Sequence, residues 1–149
     1  MRDEGFKGSE VYLLHEITTR LDRIARLRFL APAGITYPEF LVLMAARELP
    51  APTQEQVGSF VDMSKSLVSQ RVSALMRKRL LRQDGDPADR RMVKLGLTAA
   101  GKKEVARIYN AMLTSSDTLF NAMGDHRPAF RSALIGLAEG LAREEERDR

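Results

Sequence analysis

The 149-residue sequence contains no cysteine. That excludes disulfides, thiolate metal sites, cysteine nucleophiles and thiol-based redox sensing. Its two histidines, His15 and His126, are too few for a dedicated metal cage without carboxylate help, so no metal or other cofactor is expected. No stretch approaches the roughly 18 uninterrupted apolar residues that suggest a membrane span. The opening MRDEGFKGSE also lacks an apolar signal core. Both features predict a cytoplasmic protein with no membrane partner. Glycine-rich phosphate loops, nucleophile elbows and histidine-carboxylate metal spacings are missing too, so the chain is not expected to be an enzyme.

What is present is an uneven distribution of charge. The net charge is only +4, but Ser64 to Arg107 holds 12 Lys/Arg against 4 Asp/Glu, a local balance of +8. The remainder holds 12 against 16, a balance of −4. A basic block in an otherwise acidic chain is the footprint of a face that meets phosphates.

Apolar periodicity lays out the elements around that block. Leu14, Ile17, Leu21, Ile24 and Leu27 recur at helical spacing and stop before Ala31-Pro32-Ala33-Gly34. Thr36 to Glu39 and Thr53 to Gln56 read as two capping boxes, each opening a helix; the first leads into the apolar run Phe40 to Ala46, and the second into Val57, Phe60 and Val61. A fourth helix carries Val68, Val72, Leu75 and Met76 and runs into Arg77-Lys78-Arg79. The period then falls to two at Val93, Leu95 and Leu97, a strand whose partner is Leu80 to Gln83 across Asp84-Gly85-Asp86-Pro87. Thr98 caps a fifth helix closed by Gly124, and a sixth carries Phe130, Leu134, Leu137 and Leu141.

The third and fourth helices fit a helix-turn-helix. Gly58 allows a close crossing and Asp62 is a residue type that tolerates left-handed turn geometry. On the fourth helix, taken as recognition helix 64–80, Ser66, Ser69, Gln70, Ser73 and Arg77 share one face opposite Val68, Val72 and Leu75. Short hydroxyls and an amide let a helix backbone enter a major groove and reach base edges. Ser64 and Lys65 at the start of this helix, with Arg71 and Lys78 along it, complete the candidate contacts, the cations being suited to phosphates. A hairpin tip placed after such a helix reaches the minor groove, which attracts inserted arginine. This predicts a wing over 84–95 with Asp89, Arg90, Arg91 and Lys94 at the DNA.

SKSLVSQRVSALMRKRLL followed by DPADRRMVKLGLTAAG closely resembles the MarR family of winged-helix transcription regulators. The resemblance, over about residues 35–101, implies a homodimer with interlocking terminal helices that binds a pseudo-palindromic double-stranded operator, most often as a repressor. It also implies that Asp89 and Arg91 form a pair in the wing and that Arg91 enters the minor groove. The family commonly has glycine where Arg79 stands and an apolar residue where Arg71 stands.

The expected fold is mainly α with a small β-hairpin: a winged helix-turn-helix region, 35–101, flanked by long dimerisation helices, 10–31 and 104–147, in a single intertwined domain. The resemblance also implies a small aromatic or anionic effector between the dimer helices and the reading head. Tyr12, His15, Tyr37, Met44, Tyr109 and Met112 are the candidate contacts, being aromatic and Met side chains with a few polar groups. The competing reading is a winged-helix protein-interaction module without specific DNA binding.

Overall fold

A computed structural model describes residues 5–89 and 91–148. Arg90, expected at the DNA, lies outside the described residues. Six α-helices and one hairpin follow in the order α1 (Glu10–Ala25), α2 (Tyr37–Glu48), α3 (Gln54–Val61), α4 (Lys65–Arg77), β1 (Leu81–Gly85), β2 (Val93–Leu97), α5 (Ala99–Asn121) and α6 (Arg127–Arg147). The chain forms two compact units, one ending at Ala111 and one beginning at Met112, so the division falls inside α5.

Both capping boxes form. Thr36 Oγ1 accepts the Glu39 N–H at 3.3 Å and Glu39 Oε2 accepts the Thr36 N–H at 2.8 Å. Thr53 and Gln56 repeat the exchange at 3.2 and 2.9 Å. The first helical segment ends less simply than its spacing suggests. After Ala25 the chain passes through a wide π turn, Arg26–Leu30, and a 3-10 turn, Ala31–Ala33, before Gly34 at φ +66°. Pro32 has no N–H to donate, so regular helix cannot continue through it.

The core of the first unit sits among α2, α3, α4, the hairpin and the first turns of α5, where Leu43, Val57, Val68, Leu75, Leu95 and Ile108 are fully buried. Leu81 pairs with Leu97 and Gln83 with Leu95 in the antiparallel register. One face of the hairpin therefore buries Leu81, Leu95 and Leu97, while Arg82, Asp84, Lys94 and Gly96 share the other. The Leu95 N–H also donates to the Pro52 carbonyl at 2.7 Å, tying β2 to the loop before α3.

Neither α1 nor α6 contains a buried residue. Ile17, Leu21 and Ile24 on α1 are 49%, 38% and 39% exposed, and Leu134, Leu137 and Leu141 on α6 are 39%, 43% and 58% exposed. Among the described residues, no single helix is long and apolar enough to cross a membrane.

Candidate nucleic-acid interface

The turn between α3 and α4 is built as the residue types demand. Asp62 takes left-handed geometry at φ +53°, ψ +50°, and the Met63 N–H returns to the Gly58 carbonyl at 3.0 Å. A β-carbon on Gly58 would lie 2.9 Å from the Met63 carbonyl oxygen and 3.4 Å from Val68 Cγ2, so a side chain there would push the two helices apart. Ser64 then caps α4, its Oγ accepting the Leu67 N–H at 3.3 Å.

Along α4 the two faces separate cleanly. Val68, Val72 and Leu75 are buried, whereas Lys65, Ser66, Ser69, Gln70, Ser73 and Arg77 are exposed. Arg71 is half-buried between these faces, and its Nε is buried without a hydrogen-bond partner. The structure thus brings the short polar side chains together on one accessible strip.

Lys78 departs from expectation. Its ammonium donates at 2.7 Å to Glu39 Oε2 and at 2.7 Å to the Gly34 carbonyl, joining the end of α4 to the start of α2. The Glu39 side chain is only 4% exposed. Burial alone would raise its carboxyl, but the bonds from Lys78 and from Thr36 outweigh burial and hold it below the ordinary carboxylate range. A lysine expected to meet phosphate is therefore engaged with an internal carboxylate, because the fold brings residues 39 apart in sequence into contact.

The end of α4 is a Schellman turn. The Leu80 N–H bonds the Leu75 carbonyl at 3.0 Å, the Arg79 N–H bonds the Met76 carbonyl at 2.9 Å, and Arg79 sits at φ +57°. Arginine thus occupies a left-handed position that glycine would fill without steric cost. Thr98 fastens this turn to the next helix. Its Oγ1 donates to the Arg79 carbonyl at 2.7 Å and accepts the Gly101 N–H at 2.9 Å, while its N–H bonds the Leu80 carbonyl at 3.1 Å. Gly101 packs so tightly on the Leu80 carbonyl that a β-carbon there would overlap it.

At the wing, Asp86 Oδ1 accepts the Ala88 N–H at 2.8 Å and Asp89 Oδ1 accepts the Arg91 N–H at 2.9 Å. The expected ion pair between Asp89 and Arg91 is absent among the described residues; the carboxylate holds Arg91 through its backbone instead. An aspartate two residues before an N–H is well placed for such an Asx turn. Arg91 is exposed, and Lys94 is half-buried in β2 opposite Asp84.

Tyr12 and His15 share a shallow cleft of about 250 Å³ on α1 with Glu16 and Arg20. Tyr37 lies 6.5 Å from the Phe40 ring, and burial together with the charge of Asp22 raises its phenol above the ordinary tyrosine value. Met44 is half-buried in α2, and Tyr109 lies beneath the Arg47 guanidinium, 4.7 Å from ring centre to Cζ. Met112 belongs to the second unit. No group of His, Cys, Asp or Glu able to hold a metal occurs among the described residues.

Residues 33–92 match the MarR family model. A proposed transcriptional regulatory protein for the hcr operon of Thauera aromatica is 29% identical over 112 residues, which cover 75% of this chain and 66% of that protein. Slightly under two thirds of that relative is therefore represented. Among solved structures, the transcriptional repressor CouR bound to a 23-mer DNA duplex has a TM-score of 0.79 at 23% identity, covering 93% of this chain and 98% of its own. At that identity the likeness is one of fold. BpsR of Bordetella bronchiseptica, whose DNA binding is regulated by 6-hydroxynicotinic acid, has a TM-score of 0.70 at 25% identity, covering 93% and 96% of the two chains.

Proposed function

We propose that the chain is a DNA-binding transcription regulator of the MarR family, whose model residues 33–92 match, and that it acts as a homodimeric, effector-responsive repressor of a pseudo-palindromic operator. The observation that carries the reading is the exposed strip of Ser66, Ser69, Gln70 and Ser73 on α4, set opposite its buried face. In this reading α4 enters the major groove and reads base edges with Gln70 and the serines. Lys65 and Arg77 hold phosphates, and Arg91 enters the adjacent minor groove. Lys78 is left out of the phosphate contacts because Glu39 engages it.

The dimer is supported by the uncovered apolar stripes of α1 and α6. A two-fold interface pairs such stripes like with like and sets two recognition helices about one turn of DNA, ~34 Å, apart or a multiple of it. The relationship to BpsR supports a small aromatic or anionic effector.

Fluorescence anisotropy of the protein against its own upstream promoter and a scrambled duplex, at two salt concentrations, tests the reading. Promoter binding about a thousandfold tighter than the control is expected. Equal, weak binding to both would favour a winged-helix interaction module instead. Sedimentation of Leu21→Glu should show monomer where the parent shows dimer.

A further inference from the structure

Lys78 stands on a fixed base. Its N–H bonds the Ala74 carbonyl at 3.1 Å, and the Schellman turn and Thr98 hold Arg79 and Leu80, the two residues that follow. From that base its ammonium leaves α4 and ends on the connection between α1 and α2, at the Gly34 carbonyl and Glu39 Oε2. The same Oε2 accepts the Thr36 N–H at 2.8 Å. The start of α2, the connection before it and the end of α4 thus converge on one ammonium–carboxylate contact. With its side chain 4% exposed, Glu39 has little access to water that could replace a lost partner, so movements that lengthen this contact are opposed.

The connection is the joint through which α1 joins the core of the first unit. Leu30 and Ile35, which flank it, are both buried. Between them the chain bends sharply: the Gly34 N–H bonds the Ala31 carbonyl at 3.0 Å and the Ile35 N–H bonds the Leu30 carbonyl at 3.1 Å, with Gly34 at φ +66°. Glycine brings backbone freedom and no side chain to such a bend. Lys78 supplies the hold from outside it. Beyond the joint, α1 contains no buried residue, so its direction is not fixed by core packing along its length. Small changes at the joint are magnified at its far end. The 16 residues of α1 rise about 24 Å, so a tilt of about 8° moves that end by about 3.4 Å, one base-pair step.

We propose that Lys78 is a positioning residue that sets the angle between α1 and α4 and, through the two-fold dimer, the spacing at which two copies of α4 meet the operator. The assignment rests on the dimeric operator reading. It gives Lys78 a part in DNA recognition without a contact to DNA. The half-site sequence is left to the exposed face of α4, and the distance between half-sites is governed by the hold on Gly34 and Glu39.

Selection of binding sites from a pool of random duplexes, with the full chain, tests this. The parent should enrich paired half-sites at one spacing. Lys78→Met should enrich the same half-site sequence at a displaced or broadened spacing. So should Glu39→Gln, which keeps an oxygen for the Thr36 N–H and removes the charge that Lys78 meets. In anisotropy titrations the preference for the parental spacing over sites one base pair longer or shorter should fall about tenfold in each variant, the factor that one charge-assisted hydrogen bond supplies. Ile108→Val, which trims the core on α5, should keep the parental spacing, since lost stability alone does not change the distance between two copies of α4. An unchanged spacing preference in the folded variants, an altered half-site sequence, or an equal change in Ile108→Val would overturn the assignment and leave the operator reading standing. Glu39→Gln decides alone if Lys78→Met does not fold. Enrichment of no paired half-sites by the parent would overturn both.

Discussion

Replacing Lys78 by Met separates two roles that a cation at this position could have. Its ammonium makes two hydrogen bonds, to Glu39 and to the Gly34 carbonyl, each at 2.7 Å. A hydrogen bond to a charged group contributes about 1.5–3 kcal/mol. Stranding one partner of a fully buried pair costs about 3–5 kcal/mol. The Lys78 side chain is 36% exposed, so solvent screens the pair and the lower range applies. Lys78→Met should therefore destabilise the protein by about 2 kcal/mol at pH 7, measured by urea unfolding at fixed protein concentration.

The pH dependence fixes the cause. Glu39 titrates below its ordinary value of 4.5 in the folded protein. A depressed carboxyl contributes stability above its unfolded value and loses it as pH falls through the folded value. Without Lys78 the raising effect of burial is less opposed, so protonating Glu39 costs the variant less. The gap between parent and variant should thus be widest at neutral pH and narrow below about pH 4.5. Operator affinity will fall if α4 shifts, but the slope of log affinity against log salt should hold, since a lost phosphate contact lowers that slope by about one. A gap below about 0.5 kcal/mol, a gap independent of pH, or a salt slope reduced by one would refute the reasoning.

Arg79→Gly should stabilise the protein by about 0.5–1 kcal/mol in the same assay, since the left-handed cost is removed and part of the gain is offset by the freer unfolded chain. Gly101→Ala should destabilise by about 3 kcal/mol or more, read as a lost or much lowered thermal transition, because a β-carbon has no space beside the Leu80 carbonyl. Arg91→Ala should weaken promoter binding by about 1–3 kcal/mol in anisotropy titrations with the fold intact. Asp89→Asn should leave binding nearly unchanged, as the amide oxygen can still accept the Arg91 N–H; a loss equal to that of Arg91→Ala would mean the negative charge itself is required.

The elements that depend on neighbouring residues were legible in the sequence. Two capping boxes, the helical stripes, the left-handed Asp62 and the close crossing at Gly58 are set by residue type and short spacing, and each is formed. The bond between Glu39 and Lys78 was not legible, because the same carboxylate already completes the local box with Thr36 and no spacing rule reveals a second partner 39 residues away. The sharp end of α4 was hidden for the opposite reason: its usual sign is glycine, and Arg79 stands there. The wing was legible as a hairpin, but a separation of two residues serves an ion pair and an Asx turn alike, and only the folded geometry distinguishes them.

DPADRRMVKLGLTAAG resolves into three successive devices. Its aspartates shape the hairpin tip by accepting nearby N–H groups, its alternating residues place Leu95 and Leu97 in the core, and its threonine and glycine fasten the start of α5 to the end of α4. The last device determines where the wing stands. Thr98 comes directly after β2 and grips the Arg79 and Leu80 carbonyls, the residues that join α4 to β1. Both ends of the hairpin are therefore held at one point, the end of α4. The tip that carries Arg91 extends from a base braced by Thr98 at one end and by the Leu95 bond to Pro52 further along. If Arg91 meets DNA as proposed, an arginine on such a base is aimed relative to the exposed face of α4 before any DNA arrives, which would lower the ordering cost of the contact.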